Sequence, residues 1–458
     1  MSNTNLFEAF NSVSAKGWKQ KIQYDLNGAD YNNTLIWQTP EDINVKPFYN
    51  KEDLTEGAYN FKSSKKSFKI TQTIFVNSED KSNTLAKNAL QDGADALLFI
   101  IATAHCDLDK LLKDIDLFSV PIYFDLQFCA SKFIEKINAL ALENEASFYV
   151  NFDIIGHLTE DGNWYSTLQA DHKTLETVLK NCIHLKSSVS VNLVGYQNAG
   201  ATITQQLAYG LAHANEYLNT FSKLFYTKIT FKVSVGSNYF FEIAKLRALR
   251  LLWHTLATEY DVNTQCNIIT IPTKRNKTIY ESKTNILRTT TEYMSAVLGG
   301  ADNICNVPHD TIFRKNHTSA ERMSRHQLQS LKEEHGFENV TNPTDGSYYI
   351  EALTQQLADK ALTLFKDIEA QGGFLKLLKD GLIQKKIKES AQKEQELFDN
   401  GELTLIGANA HCNTETVIKD KLELYPFVKQ NPRKTLLEPI IPRRLAENSE
   451  QNRLKSEN

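Results

Sequence analysis

An α/β fold in which eight parallel strands close into a (β/α)8 barrel is predicted by two features of this 458-residue chain. The first is alternation: apolar runs at 68–76, 94–102, 120–128, 147–155, 187–195, 228–236, 266–274 and 301–308 are each followed by an amphipathic helix pattern. The second is the make-up of the runs, nearly continuous in Val, Ile, Leu and Phe, as strands covered on both faces must be. An open, doubly wound sheet uses the same alternation. The count of eight favours closure.

The helix patterns fall at 81–92, 108–114, 132–145, 172–182, 202–221, 239–260, 279–298 and 319–334. Several runs end in small or polar residues, as in Gly195-Tyr196-Gln197-Asn198 and Gly236-Ser237-Asn238. Such loops sit at the C-terminal mouth of a barrel, where ligands bind. The first sixty residues alternate aromatics with turn formers and show little helix periodicity; Trp18, Trp37, Phe48 and Tyr49 must pack on the barrel or on a partner. After the eighth unit, helical patterns at 348–372 and 374–398 flank Gly372-Gly373. The stretch 426–458, with Pro432, Pro439, Pro442 and Arg443-Arg444, reads as an extended tail. The predicted division is an N-terminal arm for subunit contact (1–62), the barrel with closing helices (63–400) and a C-terminal extension (401–458).

Composition removes several function classes. Lys+Arg 51 against Asp+Glu 55 gives a net charge of -4, and no basic stripe interleaved with aromatics occurs, so nucleic acid is not an expected ligand. The six cysteines are scattered among apolar neighbours, so disulfides are not expected. His105-Cys106 and His411-Cys412 are neighbours in sequence, which rarely face one metal. The start has no basic and apolar leader, and the longest apolar run is far short of the ~20 residues that cross a bilayer. A soluble cytoplasmic protein without membrane contact is expected.

Common catalytic signatures are missing. Gly195-x-x-x-x-Gly200 has phosphate-loop spacing, but Ala201 stands where the lysine belongs. Neither His-Glu-x-x-His nor Gly-x-Ser-x-Gly occurs. Lys274 could form a Schiff base at a strand end, although Arg275 and Lys277 make a solvated basic loop the plainer reading. His309-Asp310 is a polar pair without a third ligand nearby in sequence. Ile243, Leu246, Leu249 and Leu252 share one helix face, leaving the charges of that helix on an outer face.

The segment 189–201, VSVNLVGYQNAGA, resembles the strand and loop that carry catalysis in the cobalamin-dependent acyl-CoA mutases. Similar in order are 18–22 and 37–49, 68–72, 243–253, 285–292 with 296–300, 342–351 and 369–373. The resemblance covers nearly the whole chain and points to the small subunits of methylmalonyl-CoA mutases. In catalytic members Tyr-His-Met precedes the Gln-x-Ala-Gly signature; Val194, Gly195 and Tyr196 stand there in this chain. An Arg and a Tyr on the family's first strand hold and shield the substrate, and Thr71 and Thr73 take those positions. The family holds cobalt through Asp-x-His-x-x-Gly on a separate C-terminal domain, and no Asp-x-His occurs in this sequence. Some sixty residues after the last predicted helix are too few for such a domain, which takes on the order of a hundred.

The resemblance therefore implies no catalytic, cofactor-binding or metal residues on this chain. It implies a non-catalytic small subunit paired as a heterodimer with a homologous large subunit. That partner would bind adenosylcobalamin and interconvert methylmalonyl-CoA and succinyl-CoA in propionate metabolism. The alternative is an independent TIM-barrel enzyme with cobalamin-free chemistry at its mouth.

Overall fold

A computed structural model describes residues 11–54, 67–340, 342–429 and 432–457. Residues 1–10 and 55–62 of the expected arm lie outside the described residues. The arm does contain helix: α1 (Ala15–Asp25) and α2 (Tyr31–Leu35) begin at Ser14 and Asp30, whose side chains accept from Gly17 and Asn33 backbone N–H groups. A short antiparallel ribbon, β1 (Trp37–Gln38) and β2 (Asn44–Val45), follows.

The eight apolar runs are the eight strands of a parallel barrel. They are β3 (Lys69–Val76), β4 (Ala96–Ile101), β5 (Ile122–Leu126), β6 (Phe148–Asn151), β7 (Ser190–Asn192), β8 (Ile229–Val235), β9 (Cys266–Pro272) and β10 (Asn303–Cys305). Their order is β6-β5-β4-β3-β10-β9-β8-β7. The ring closes between the two end strands through a parallel bridge of Tyr149 to Ser187. Val150 N–H donates to Ser187 O at 2.8 Å, and Lys186 N–H to Phe148 O at 2.8 Å.

The helical layer comprises α3 (Glu79–Gln91), α4 (Leu108–Leu111), α5 (Ser131–Glu143), α6 (Ile154–Asp161), α7 (Leu168–Asn181), α8 (Val194–Asn198), α9 (Ile203–Phe221), α10 (Tyr239–Glu259), α11 (Thr284–Leu298) and α12 (Thr318–Gln329). Outward strand residues such as Leu97, Phe124, Val150, Val191, Phe231 and Ile268 join helix residues in the main core. Two of these helices were not expected, because Ile154-Ile155 and Leu193-Val194 prolong the apolar runs before them. Polar side chains end those strands instead: Asp153 accepts from Gly156 N–H, and Asn192 accepts from Val194 N–H at 3.1 Å.

Beyond the barrel lie α13 (Tyr348–Ala370), α14 (Phe374–Lys379), α15 (Leu382–Asp399) and α16 (Glu447–Ser456). The single helix expected over 374–398 is broken at Gly381, whose φ of +72° suits a glycine. The stretch expected as an extended tail is instead a strap laid on the C-terminal rim. Leu437 N–H donates to Gly162 O, Ile440 to Thr159 O, Arg443 to Asn198 O and Leu445 to Arg275 O, and α16 follows. Its Arg444 is buried against Glu450, which removes it from the solvent that a basic tail would seek.

Candidate functional site at the barrel mouth

Strand alternation sends every second side chain toward the barrel axis. In the lower half these side chains fill it. Tyr123 and Tyr149 stack with ring centroids 4.3 Å apart. Asn303 Nδ2 donates to the Tyr123 hydroxyl at 2.7 Å, Thr230 Oγ1 donates to Ser187 Oγ at 2.9 Å, and Ala96, Leu98, Ile269 and Cys305 pack around the rings. A plugged axis of this kind offers no channel to an extended ligand.

Above the plug the axis becomes charged. Lys232 of β8 is bonded to Asp125 of β5, both largely buried. Glu160 of α6 completes the group, its Oε1 accepting from Asn192 Nδ2 at 2.8 Å. Burial by itself would lower the Lys232 ammonium, but Asp125, with Glu160 behind it, outweighs that and holds it above the ordinary lysine value. Crowding by the surrounding mouth residues raises the Glu160 carboxyl, which nonetheless keeps an exposed surface, and Lys232 opposes the rise. Lys232 is thus kept as a bound cation rather than the free amine a Schiff base needs.

The four residues singled out in the sequence are placed in this frame. Thr71 is fully buried near the plug, its hydroxyl directed to Asn303 Oδ1 at 3.4 Å. Thr73, two residues on, faces the Cys305 thiol, which burial pushes up to about 11. Val194 and Gly195 open α8 at the rim, and a Cβ built on Gly195 would stand 3.3 Å from Glu160 Oε1. The next residue, Tyr196, turns away from the mouth into the core, where its hydroxyl meets His213 Nδ1 at 3.1 Å. His213 Nε2 lies 2.9 Å from Asp153 Oδ1, which also accepts from the Tyr217 hydroxyl at 2.6 Å. Burial works against the Asp153 charge, yet His213 and these hydrogen bonds hold its carboxyl below the ordinary value. The trio resembles a catalytic relay but is sealed, with His213 stacked on Phe374.

Charges expected on surfaces are buried and paired. Lys245 bonds to Ser234 O at 2.6 Å and to Glu242 at 2.5 Å; Arg247 reaches Asp345 and Glu351, each at 2.7 Å. The charges of α10 are therefore not on a solvated outer face: Lys245 points inward to β8, α8 and α9, and α13 packs over Arg247. The basic loop after β9 is corrected likewise: Lys274 is exposed, but Arg275 is bonded to Glu394 and Lys277 lies 2.7 Å from Glu292. His309 and Asp310 gain a neighbour that sequence spacing missed, His317, whose Nε2 is 2.9 Å from Asp310 Oδ2. Arg314 also faces that carboxylate at 3.8 Å, and no group of three His, Cys, Asp or Glu side chains among the described residues is arranged to hold a metal.

The family model described as methylmalonyl-CoA mutase matches residues 100–451. The chain belongs to the methylmalonyl-CoA mutase family. It is 32% identical to a methylmalonyl-CoA mutase small subunit from Porphyromonas gingivalis, over 92% of this chain and 73% of that relative. Against the methylmalonyl-CoA mutase of Cereibacter sphaeroides it is 28% identical, over 86% and 64% of the two chains. Against the mitochondrial methylmalonyl-CoA mutase of Homo sapiens the identity is 27%, over 86% and 60%. The chain spans less than two thirds of the length of those two mutases.

Within this mutase-family barrel, Asp125, Glu160 and Lys232 are the residues sequence reasoning missed. A signal was present: each strand residue is a lone charge inside an apolar run, YFDLQ and TFKVS, at a position whose parity points inward.

Proposed function

We propose that this chain is the non-catalytic small subunit of a heterodimeric methylmalonyl-CoA mutase. A homologous large subunit binds adenosylcobalamin and interconverts methylmalonyl-CoA and succinyl-CoA; this chain stabilises it, in the cytoplasm. One observation carries the reading: the space where the resemblance calls for a tyrosine and a histidine holds Val194, Gly195 and the Glu160 carboxylate above a plugged axis. The small-subunit relative supports the pairing.

The residues present do not fit the coenzyme. The mouth offers no imidazole from Val194-Gly195, and it presents the bonded Asp125–Lys232 pair with Glu160, charged groups that are poor partners for an apolar macrocycle. Thr71 and Thr73 supply neither a guanidinium fork for a carboxylate nor an aromatic wall. Gly195 and Val194 have no side-chain donor for a developing oxyanion.

The test is co-purification with the large subunit. A one-to-one complex should form, with isomerisation of methylmalonyl-CoA that this chain lacks when assayed alone with adenosylcobalamin. Turnover by the isolated chain, or failure to form the complex, overturns the proposal.

A further inference from the structure

The turns that enter β5, β6, β7 and β8 meet at the N-terminal end of the barrel, away from the mouth. These strands are consecutive around the ring, across the closing bridge of Tyr149 to Ser187, and neighbouring strands lie only about 4.8 Å apart. Each turn leaves one large apolar side chain in solvent: Phe118 before β5 is 68% exposed, Leu142 at the end of α5 56%, Ile183 after α7 55% and Tyr226 before β8 68%. The flanking turns, before β4 and before β9, expose none among the described residues. Four such side chains on contiguous turns form a bounded patch of the kind that marks an association surface.

Charge divides that patch into halves. On the side of β5 and β6, Asp116, Glu143 and Glu145 are exposed, with Lys113 as the one opposing cation in those turns; Asp114 beside them is already answered by Lys87 at 3.8 Å. On the side of β7 and β8, Lys186 and Lys223 are exposed and Lys228 is half-buried, and neither turn carries an acidic residue. Asp116, Glu143, Glu145 and these three lysines form no ion pair among the described residues. A partner of a single charge sign would meet repulsion on one half. A second copy, turned about a two-fold axis at the seam between β6 and β7, lays each acidic half on a basic half and each Phe118–Leu142 pair on an Ile183–Tyr226 pair.

We propose that this face pairs two copies of the chain, base to base, through a self-complementary interface. The apolar side chains supply the buried area, and the two charge halves fix the orientation and exclude a head-to-tail stack. The N-terminal arm stays clear of the contact, since Trp37 meets Phe241 at the start of α10 and Glu41 meets the start of α9, both at the opposite end of the barrel. The pairing does not rest on the subunit role proposed above.

Sedimentation equilibrium of the full chain tests it. At low salt the chain should reach twice the 52.0 kDa of one copy, and raising the salt to about 500 mM should weaken the dimer at least tenfold in Kd. Lys186→Glu with Lys223→Glu tips the whole face acidic, and Glu143→Lys with Glu145→Lys tips it basic. Each double variant should weaken self-association at least tenfold, and a one-to-one mixture of the two should recover the dimer, which misfolded chains could not do. A chain that stays monomeric at low salt, double variants that associate as wild type does, or a mixture that stays monomeric overturns the proposal. A dimer lost on replacing Trp18 and Trp37 by Ala but kept in both charge variants overturns it too, by placing the contact on the arm.

Discussion

Glu41 shows how one side chain can fasten a distant segment. Its carboxylate accepts from Ile203 N–H at 2.6 Å and Thr204 N–H at 2.7 Å, in the first turn of α9, where the helix leaves donors unpaired and carries partial positive charge. Burial raises its carboxyl despite those bonds, so desolvation is being set against capping. Thr202 caps the same helix, with Gln205 returning the bond. Glu41→Ala should still cost about 1–2 kcal/mol, the scale of a lost cap with dipole contact. Urea unfolding of the variant checks this, and a loss below a few tenths would show that Thr202 suffices. Nothing in the sequence near Glu41 announces the contact, since it joins residues 162 positions apart. Capping by Thr202 is local and opens a helix the sequence predicts, whereas Ser14 and Asp30 cap helices whose weak periodicity hides them.

Among elements, α6 brings the clearest dependence on pH. It carries Glu160 into the mouth, and the raised carboxyl there means that the folded chain holds a proton more firmly than the unfolded one. The contribution is fully present below the unfolded value near 4.5 and is lost as pH rises through the raised folded value. Glu160→Gln removes the titration, so the stability of the variant relative to wild type should grow as pH rises from 4.5 and then level off. Denaturant midpoints between pH 4.5 and 7.5 measure it; a constant difference would mean that Lys232 offsets the burial completely. The strands of this barrel were legible because strands covered on both faces leave unbroken apolar runs. α6 was not, since Ile154 and Ile155 continue the run of β6 and only Asp153 marks the end. The cations of α10 are hidden in the sequence for a related reason: lysine and arginine are usually outside, and only their tertiary partners, on β8, α8 and α9 for Lys245 and on α13 for Arg247, show that these two are not. The strap was hidden by its prolines and arginines, a composition that reads as solvated until a surface is there to receive it.

At the scale of the whole molecule, the arm leaves aromatic surface over. Trp37 packs edge-on to Phe241 at 5.8 Å and Tyr49 meets Tyr349 at 5.0 Å, so part of the arm is spent on its own barrel. Trp18 and Trp37 nonetheless remain about half exposed, and Trp18 meets edge-on the Phe48 ring that lines a groove with Phe240 and Tyr348. Large exposed aromatics of this kind carry a disproportionate share of binding energy at interfaces. Replacing both Trp18 and Trp37 by Ala should weaken the proposed complex with a large subunit at least tenfold in Kd while leaving far-ultraviolet circular dichroism unchanged. An unaltered Kd would place the contact elsewhere. No described helix is long and apolar enough to cross a membrane, so these aromatics are not part of a helical span.

The tie between Asp125 and Lys232 joins strands three places apart around the ring, directly above two stacked tyrosines. Squeezing the ring at right angles to that chord draws its ends apart and must part an ion pair, so the cylinder resists being flattened. A neighbour that changes shape would push against an anvil rather than a spring.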